Sequence, residues 1–213
     1  MQKNESKRIK IINILIDSDN KLGKFIKYFE KENFIIQDDY KKRSDFLSLI
    51  RIIIGQQLSI TAASSIFEKF TSKFGENINF INSTEFNENE LKYLGLSKAK
   101  ANTILELSKS IKNNQLDLNL ISKMEESKAK EILCQFKGIG PWTVENFLIF
   151  TGNNQDICPA NDLGIKKGIQ KIYKLDNVPS DEEVYSISEK WRPYRSLAVR
   201  YIWEVVDQNI NFE

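Results

Sequence analysis

The chain has 213 residues, with 31 basic and 29 acidic side chains and a formal net charge of +2, which excludes a polybasic coat protein. It has no histidine, so Ser-His-Asp and Cys-His catalysis and His-based zinc sites are also excluded. Its two cysteines, Cys134 and Cys158, are too few to hold an iron–sulfur cluster or a four-thiolate zinc ion.

This length suffices for one large domain or two small lobes with a buried core. The longest apolar runs are much shorter than a membrane span, and no secretory signal is evident. We therefore expect a cytoplasmic protein without a membrane partner. Cys134 lies in an apolar helical stretch and is expected in the core.

Apolar residues recur with a helical period along nearly the whole chain, which predicts an all-α fold of about ten helices. Residues 8–16 suit either a short strand or a helix, and Ser18 is a candidate N-cap for the helix that follows. The Asn-rich residues 75–90 are expected to form a loop. The predicted helices cover 18–32, 44–57, 60–74, 89–94, 97–113, 122–136, 141–150, 161–173, 180–190 and 194–208.

A helical pattern ending at Phe136 is broken by Gly138-Ile139-Gly140, and a second helix begins at Pro141. Proline is tolerated in the first turn of a helix because no hydrogen bond is lost there. The two glycines permit a tight turn and leave N–H groups bare at a helix N-terminus, which suits a phosphate. Alone, this pattern is more often an ordinary turn between helices.

About twenty residues later, a single acidic residue, Asp162, begins another helix. It could simply cap that helix. A carboxylate beside a sugar carbon can also stabilise positive charge in a glycosidic transition state. Lysines outnumber acidic residues by twelve to eight between Ser97 and Lys174, which suits a phosphate-facing surface as well as a solvated helical face.

Five separated blocks, in order, resemble the helix-hairpin-helix (HhH-GPD) DNA glycosylase superfamily, and most closely its 3-methyladenine DNA glycosylase II branch. The blocks span roughly residues 44–206. They are Phe46-x-x-Leu49-x-x-x-Ile53-Ile54-Gly55-Gln56-Gln57-Leu58-Ser59, Leu94-Gly95-Leu96-Ser97-x-x-Lys100-Ala101, Phe136-x-Gly138-Ile139-Gly140-Pro141-Trp142-Thr143, Pro159-x-x-Asp162, and Trp191-Arg192-Pro193-x-Arg195-Ser196-x-Ala198-x-x-x-Ile202-Trp203.

The resemblance implies two helical lobes with an active-site cleft between them. Residues 1–43 would form an N-terminal segment packing with the C-terminal helices, and 44–150 a helical lobe ending in the hairpin at about 129–150. Residues 151–213 would supply the C-terminal helices and the catalytic acid. The β-rich domain that precedes the helices in the bacterial enzyme is expected to be absent or reduced.

The resemblance also assigns roles in catalysis. Asp162 falls on the catalytic aspartate, and Trp203 on the tryptophan that stacks against the flipped base. Trp142 stands where strand-cutting relatives carry the lysine that forms a Schiff base, so the enzyme is expected to lack lyase activity. Trp142 is also a candidate wall of the base pocket, with core burial as the alternative.

Further roles follow from the same resemblance. Gln57 is expected to be the wedge that fills the space left by the flipped nucleotide, with Gln56 as the competing choice. Contacts to DNA phosphate are assigned to Gly138, Gly140 and Thr143. No cofactor is required, although the main-chain carbonyls of Cys134, Phe136 and Gly138 match those that hold a structural Na⁺ or K⁺ in some relatives.

The favoured hypothesis is a monomeric, nucleoid-associated base-excision-repair glycosylase. It would hydrolyse the N-glycosidic bond of alkylated purines in duplex DNA and leave an abasic site. The alternatives are a uracil, mismatch or other-lesion glycosylase of the same fold, and a non-catalytic helix-hairpin-helix DNA-binding module. Asp162 discriminates, because a binding module needs no acid beside the sugar.

Overall fold

The computed structural model describes residues 2–32, 43–75, 87–151 and 154–210, and side chains from Ser6 onward. Every regular element within those ranges is helical, so the all-α prediction is confirmed. The helices are α1 (Gln2–Ser18), α2 (Asn20–Lys31), α3 (Asp45–Gly55), α4 (Ile60–Phe74), α5 (Glu88–Tyr93), α6 (Lys98–Lys112), α7 (Leu118–Ile121), α8 (Glu126–Leu133), α9 (Pro141–Thr151), α10 (Leu163–Tyr173), α11 (Asp181–Ser188), a 3₁₀ helix (Glu189–Trp191) and α12 (Arg195–Asp207).

The described residues form two compact units. The first combines residues 2–32 with 155–210, and the second contains 43–75, 87–151 and 154. Residues 8–16, which suited either a strand or a helix, lie within α1. Most of the predicted 75–90 loop lies outside the described residues, and its last part belongs to α5. None of the described helices is both long and apolar enough to cross a membrane.

In the first unit, α10 packs on α12, and α2 packs on α1, α10 and α12. The cap of α2 is Asp19 rather than the predicted Ser18: its carboxylate accepts from the amides of Lys21 and Leu22 at 3.0 and 3.1 Å. The same buried carboxylate accepts from Trp191 Nε1 at 2.8 Å and from the Tyr173 hydroxyl. One acid thus joins the N-terminal helices to the C-terminal part of the unit.

In the second unit, α3 is the central helix, because it packs against α4, α6, α7 and α9. Eight of its eleven residues are buried, which explains why its sequence is almost continuously apolar. The helix begins at the N-cap Ser44, whose side chain accepts from the Leu47 amide at 3.2 Å. Its C-terminal end carries the turn between α3 and α4, and α9 carries the hairpin.

Candidate functional site

Asp162, the candidate catalytic acid, caps α10 in the first unit. Its backbone is extended (φ −71°, ψ 123°), and its Oδ1 accepts a hydrogen bond from the Ile165 amide at 2.8 Å. The residue is only 8% exposed. Nε1 of Trp203, on α12, donates to the same Oδ1 at 3.0 Å. Asp162 Oδ1 therefore both caps α10 and binds the tryptophan predicted to stack against the flipped base.

Two glycines of α10 make room for this contact. A Cβ on Gly164 would lie 3.0 Å from Asp162 Oδ1 and 3.2 Å from Trp203 Cδ1. One helical turn later, a Cβ on Gly168 would lie 2.3 Å from Cγ2 of Ile202. Neither glycine was predicted from the sequence to have a role at this site. The available signal was their spacing of four, which places them on the same face of the helix.

The segment leading to Asp162 is tied to the start of α12. Arg195 Nε donates to Oδ1 of Asp156 at 2.6 Å, and Arg192 also binds the Asp156 carboxylate. The Ser196 amide donates to the carbonyl of Gln155 at 3.0 Å. Residues 191–196 therefore fix the segment that precedes Asp162. Two arginines of this block bind the Asp156 carboxylate.

More negative charge lies near this site. Asp207 follows Trp203 by one helical turn, so the two residues lie on the same face of α12. Partial desolvation raises the pKa of the Asp207 carboxyl, and the charge of Asp162 raises it further, although Asp207 remains exposed. Burial and the charge of Asp207 likewise raise the pKa of Glu204. Such an environment favours positive charge in a bound group.

The second unit contains the hairpin formed by α8, the turn and α9. Gly138 has φ 93°, a conformation that glycine adopts without strain. The Thr103 hydroxyl donates to the carbonyl of Lys137 at 2.6 Å and lies 2.5 Å from the Cβ position of Gly138. Among the described residues, no acceptor is bonded to the amides of Gly138 and Gly140. These two donors are therefore available to an anion.

Thr143 does not offer its hydroxyl to solvent. The residue is 2% exposed, and its Oγ1 accepts from Gln56 Nε2 at 2.8 Å. Its amide donates to the Gly140 carbonyl at 3.0 Å. This buried hydroxyl therefore anchors the hairpin, and the phosphate contact expected at Thr143 stays a prediction.

The preceding residue, Trp142, is half-buried in the first turn of α9, and its carbonyl accepts from Asn146 Nδ2 at 2.9 Å. Its position is compatible with both roles expected of it, packing and lining a pocket.

Gln56 and Gln57, the two candidate wedges, have different surroundings. Gln56 Nε2 donates to the Gly138 carbonyl at 3.0 Å as well as to Thr143, so hydrogen bonds to the hairpin fix this side chain within the second unit. Gln57 is exposed and has φ 57°. The neighbouring apolar residues Leu58 and Ile60 are 41% and 62% exposed. The turn therefore presents Gln57, rather than Gln56, to solvent.

The three carbonyls matched to a cation site lie along the hairpin. The Phe136 carbonyl accepts from the Ile139 amide at 3.0 Å, and the Gly138 carbonyl accepts from Gln56. No described donor is bonded to the Cys134 carbonyl. The Cys134 side chain is exposed, which corrects the expectation of core burial. Within the described residues, no cluster of His, Cys, Asp or Glu side chains could hold a metal ion.

Residues 50–193 match the HhH-GPD superfamily of base excision DNA repair proteins. The chain belongs to this superfamily. It is 31% identical over 170 residues to the alkylbase DNA glycosidase-like protein mag2 of Schizosaccharomyces pombe, covering 78% of this chain and 80% of that protein. It is 30% identical over 168 residues to DNA-3-methyladenine glycosylase 1 of the same yeast, covering 77% and 73%.

A solved structure of the Schizosaccharomyces pombe 3-methyladenine DNA glycosylase Mag1, in complex with abasic DNA, is similar to this chain. It superposes with a TM-score of 0.82 at 27% identity, covering 93% of this chain and 97% of that one. The HhH-GPD assignment made from the sequence is therefore confirmed, together with its fold.

Proposed function

We propose that this HhH-GPD protein is a DNA glycosylase that releases alkylated bases of the 3-methyladenine type from duplex DNA. The observation that carries the proposal is the contact between Asp162 and Trp203, in which an indole N–H donates to a buried carboxylate. The names of the relatives, which specify alkylated bases and 3-methyladenine, support the same substrate class.

Hydrolysis of the N-glycosidic bond develops positive charge on the deoxyribose as the base departs. The Asp162 carboxylate, held by the α10 cap and by Trp203, would stabilise this charge and orient the attacking water. A methylated purine already carries positive charge, so it needs little protonation to leave. The indole of Trp203 suits such a base through a cation–π contact of about 1–2 kcal/mol.

DNA binding is assigned to the second unit. The amides of Gly138 and Gly140 would bind a backbone phosphate. Gln57 would enter the duplex at the position vacated by the flipped nucleotide, where its amide can hydrogen-bond the unpaired base. Because main-chain amides supply much of this contact, we expect duplex affinity to fall only gently as salt increases.

We further propose that the enzyme is monofunctional. Trp142 cannot form an imine, so the expected product is an intact strand carrying an abasic site. Borohydride added during turnover should therefore trap no covalent protein–DNA adduct. Robust trapping by the unaltered protein would contradict both this proposal and the alignment of the hairpin.

We also propose that the hairpin carbonyls of Cys134, Phe136 and Gly138 bind a Na⁺ or K⁺ ion, because neutral carbonyl oxygens are suitable ligands for monovalent cations. The hydrogen bonds to Phe136 and Gly138 leave each carbonyl a second lone pair. A bound cation would add positive charge beside the proposed phosphate site. Replacing K⁺ by choline at constant ionic strength should then weaken duplex binding.

The deciding experiment is release of radiolabelled bases from methylated duplex DNA, resolved by chromatography. Asp162→Asn keeps a capping oxygen but removes the charge, so its excision rate should fall on the order of 100-fold while DNA affinity persists. Release of uracil alone would replace the proposed substrate class. DNA binding without release of any base would favour the non-catalytic module.

A further inference from the structure

The turn that presents Gln57 has an uncommon backbone. The Leu58 amide donates to the Gly55 carbonyl at 3.2 Å, which closes a four-residue turn. Gln56 has φ −52° and ψ 126°, and Gln57 has φ 57°. These angles define a type II turn, whose third residue is ordinarily glycine or asparagine. A glutamine there is strained and persists only where its surroundings fix the backbone.

Lys100 provides this constraint. Its Nζ donates to the carbonyls of Ile54 at 2.8 Å and Gln56 at 2.6 Å, from the first turn of α6. These carbonyls lie at the C-terminal end of α3, where a positive charge is favourable. Burial lowers the pKa of the Lys100 ammonium, which agrees with its placement against the main chain.

The Gln56 carbonyl is the atom that distinguishes the two common turn types. Type I and type II turns differ mainly in the orientation of the peptide group between their two central residues. Here that group joins Gln56 to Gln57, and the Lys100 ammonium binds its oxygen. In a type I turn, this carbonyl would rotate away from Lys100, and Gln57 would relax to negative φ.

We propose that Lys100 is a positioning residue for the wedge: by holding the Gln56 carbonyl, it selects the type II turn that projects Gln57 into the duplex. This inference rests on the proposed function, since it assumes that Gln57 enters DNA. It also gives a role to the lysine of the Leu94–Ala101 block, which the assignments of catalysis and phosphate binding left unused.

The test compares excision from duplex and from single-stranded methylated DNA by Lys100→Met. Base flipping and its wedge are needed only in the duplex. We expect the excision rate of Lys100→Met to fall about tenfold on duplex DNA, as for one misplaced contact group, and to change little on single-stranded DNA. Lys100→Arg, which keeps the charge and several donors, should recover most of the activity. Lys109→Met, on the exposed face of α6, is the matched control.

A double variant separates positioning from other roles. If Lys100 acts through Gln57, then Lys100→Met combined with Gln57→Ala should be no slower than Gln57→Ala alone. Additive losses would overturn the proposal, and so would equal losses on duplex and single-stranded DNA. The proposal would also be overturned if Lys100→Met lowered the slope of log affinity against log salt concentration by about one. Such a change would make Lys100 a direct phosphate ligand.

Failure of the proposed function would look different, since the unaltered protein would then release no base from either form of DNA. The turn can still be tested in that case by the fluorescence of 2-aminopurine in a bound duplex, which increases when the base is unstacked. A smaller increase with Lys100→Met than with Lys109→Met supports the proposal. Equal increases refute it.

Discussion

The surroundings of Asp162 and the hairpin with its neighbouring turn hold their functional groups by different means. Asp162 is fixed by the half-buried indole of Trp203, a helix cap and two glycines that let α10 approach α12. The hairpin and the Gln57 turn are fixed through main-chain carbonyls, which accept from Thr103, Gln56 and Lys100. The first arrangement suits a reacting group that must not move, and the second leaves amides and a wedge facing outward.

This contrast predicts that neither Gly164 nor Gly168 of α10 can be replaced by alanine without a measurable loss. Gly168→Ala would force a Cβ to within 2.3 Å of Ile202 Cγ2. We expect a loss of about 3 kcal/mol in the free energy of unfolding, measured by urea denaturation. In Gly164→Ala, the Cβ meets Asp162 and Trp203 instead. For that variant, the free energy of unfolding should fall by only about 1 kcal/mol, whereas the excision rate should fall at least about tenfold. Equal effects of the two variants on activity would contradict this division.

The acid that joins the N-terminal helices should make the first unit sensitive to pH. Burial alone would raise the pKa of Asp19, but hydrogen bonds from Tyr173 and Trp191 outweigh it, and the pKa falls below 3.8. Its stabilising effect is therefore complete above pH 3.8 and is lost as pH falls through the lowered value. Asp19→Asn should cost about 2 kcal/mol at pH 7.

That difference between the wild type and Asp19→Asn should shrink in denaturation experiments below pH 3.8. A difference that stays constant from neutral to acid pH would contradict the prediction. In the second unit, burial raises the pKa of Asp45, so this group favours folding at low pH and has the opposite sign.

The two hairpin glycines should respond differently to alanine. Gly138→Ala would place a Cβ only 2.5 Å from the Thr103 hydroxyl, on a backbone with φ 93°. We therefore expect the free energy of unfolding to fall by about 2 kcal/mol and duplex binding to weaken. A Cβ on Gly140 has no heavy atom within 4 Å, so Gly140→Ala should leave stability unchanged. Denaturation and fluorescence anisotropy at fixed salt measure both effects. Equal destabilisation by the two variants would refute the proposed geometry.

The smallest expected effect is a gain in stability. Gln57→Gly removes the strain of φ 57° and should stabilise the protein by about 1 kcal/mol or less, because glycine also gains freedom in the unfolded chain. The same change removes the wedge, so excision from duplex DNA should fall. Gln57→Asn, which tolerates this conformation and retains an amide, is the control. A Gln57→Gly protein less stable than the wild type would contradict this prediction.

Local sequence patterns predicted the hairpin and most of the helices, because helical period, N-caps and glycines act over a few residues. They did not predict α7, and α8 is shorter than the predicted helix over 122–136. They also singled out Asp162, which follows Pro159 at the start of a helix. Trp203 was assigned only by family resemblance. Its hydrogen bond joins residues 41 positions apart, a pairing that periodicity does not encode.

The misses have a similar cause. The burial of Thr143 was not predicted, because Gln56, which binds its hydroxyl, lies 87 residues earlier. Lys100 was noticed only within a motif, since its acceptors lie 44 and 46 residues away. Ser18 and Asp19 are both good capping residues, and the choice between them depends on Tyr173 and Trp191.

The Asp19 carboxylate also bears on how the chain can be shortened. The superfamily match covers residues 50–193, whereas the unit that contains Asp162 includes residues 2–32 and extends past Trp203. A fragment cut to the matched span would lose the acceptor of the buried Trp191 indole N–H and of the Tyr173 hydroxyl, leaving both donors without this partner. The segment by which the family is recognised is thus smaller than the segment that must fold together.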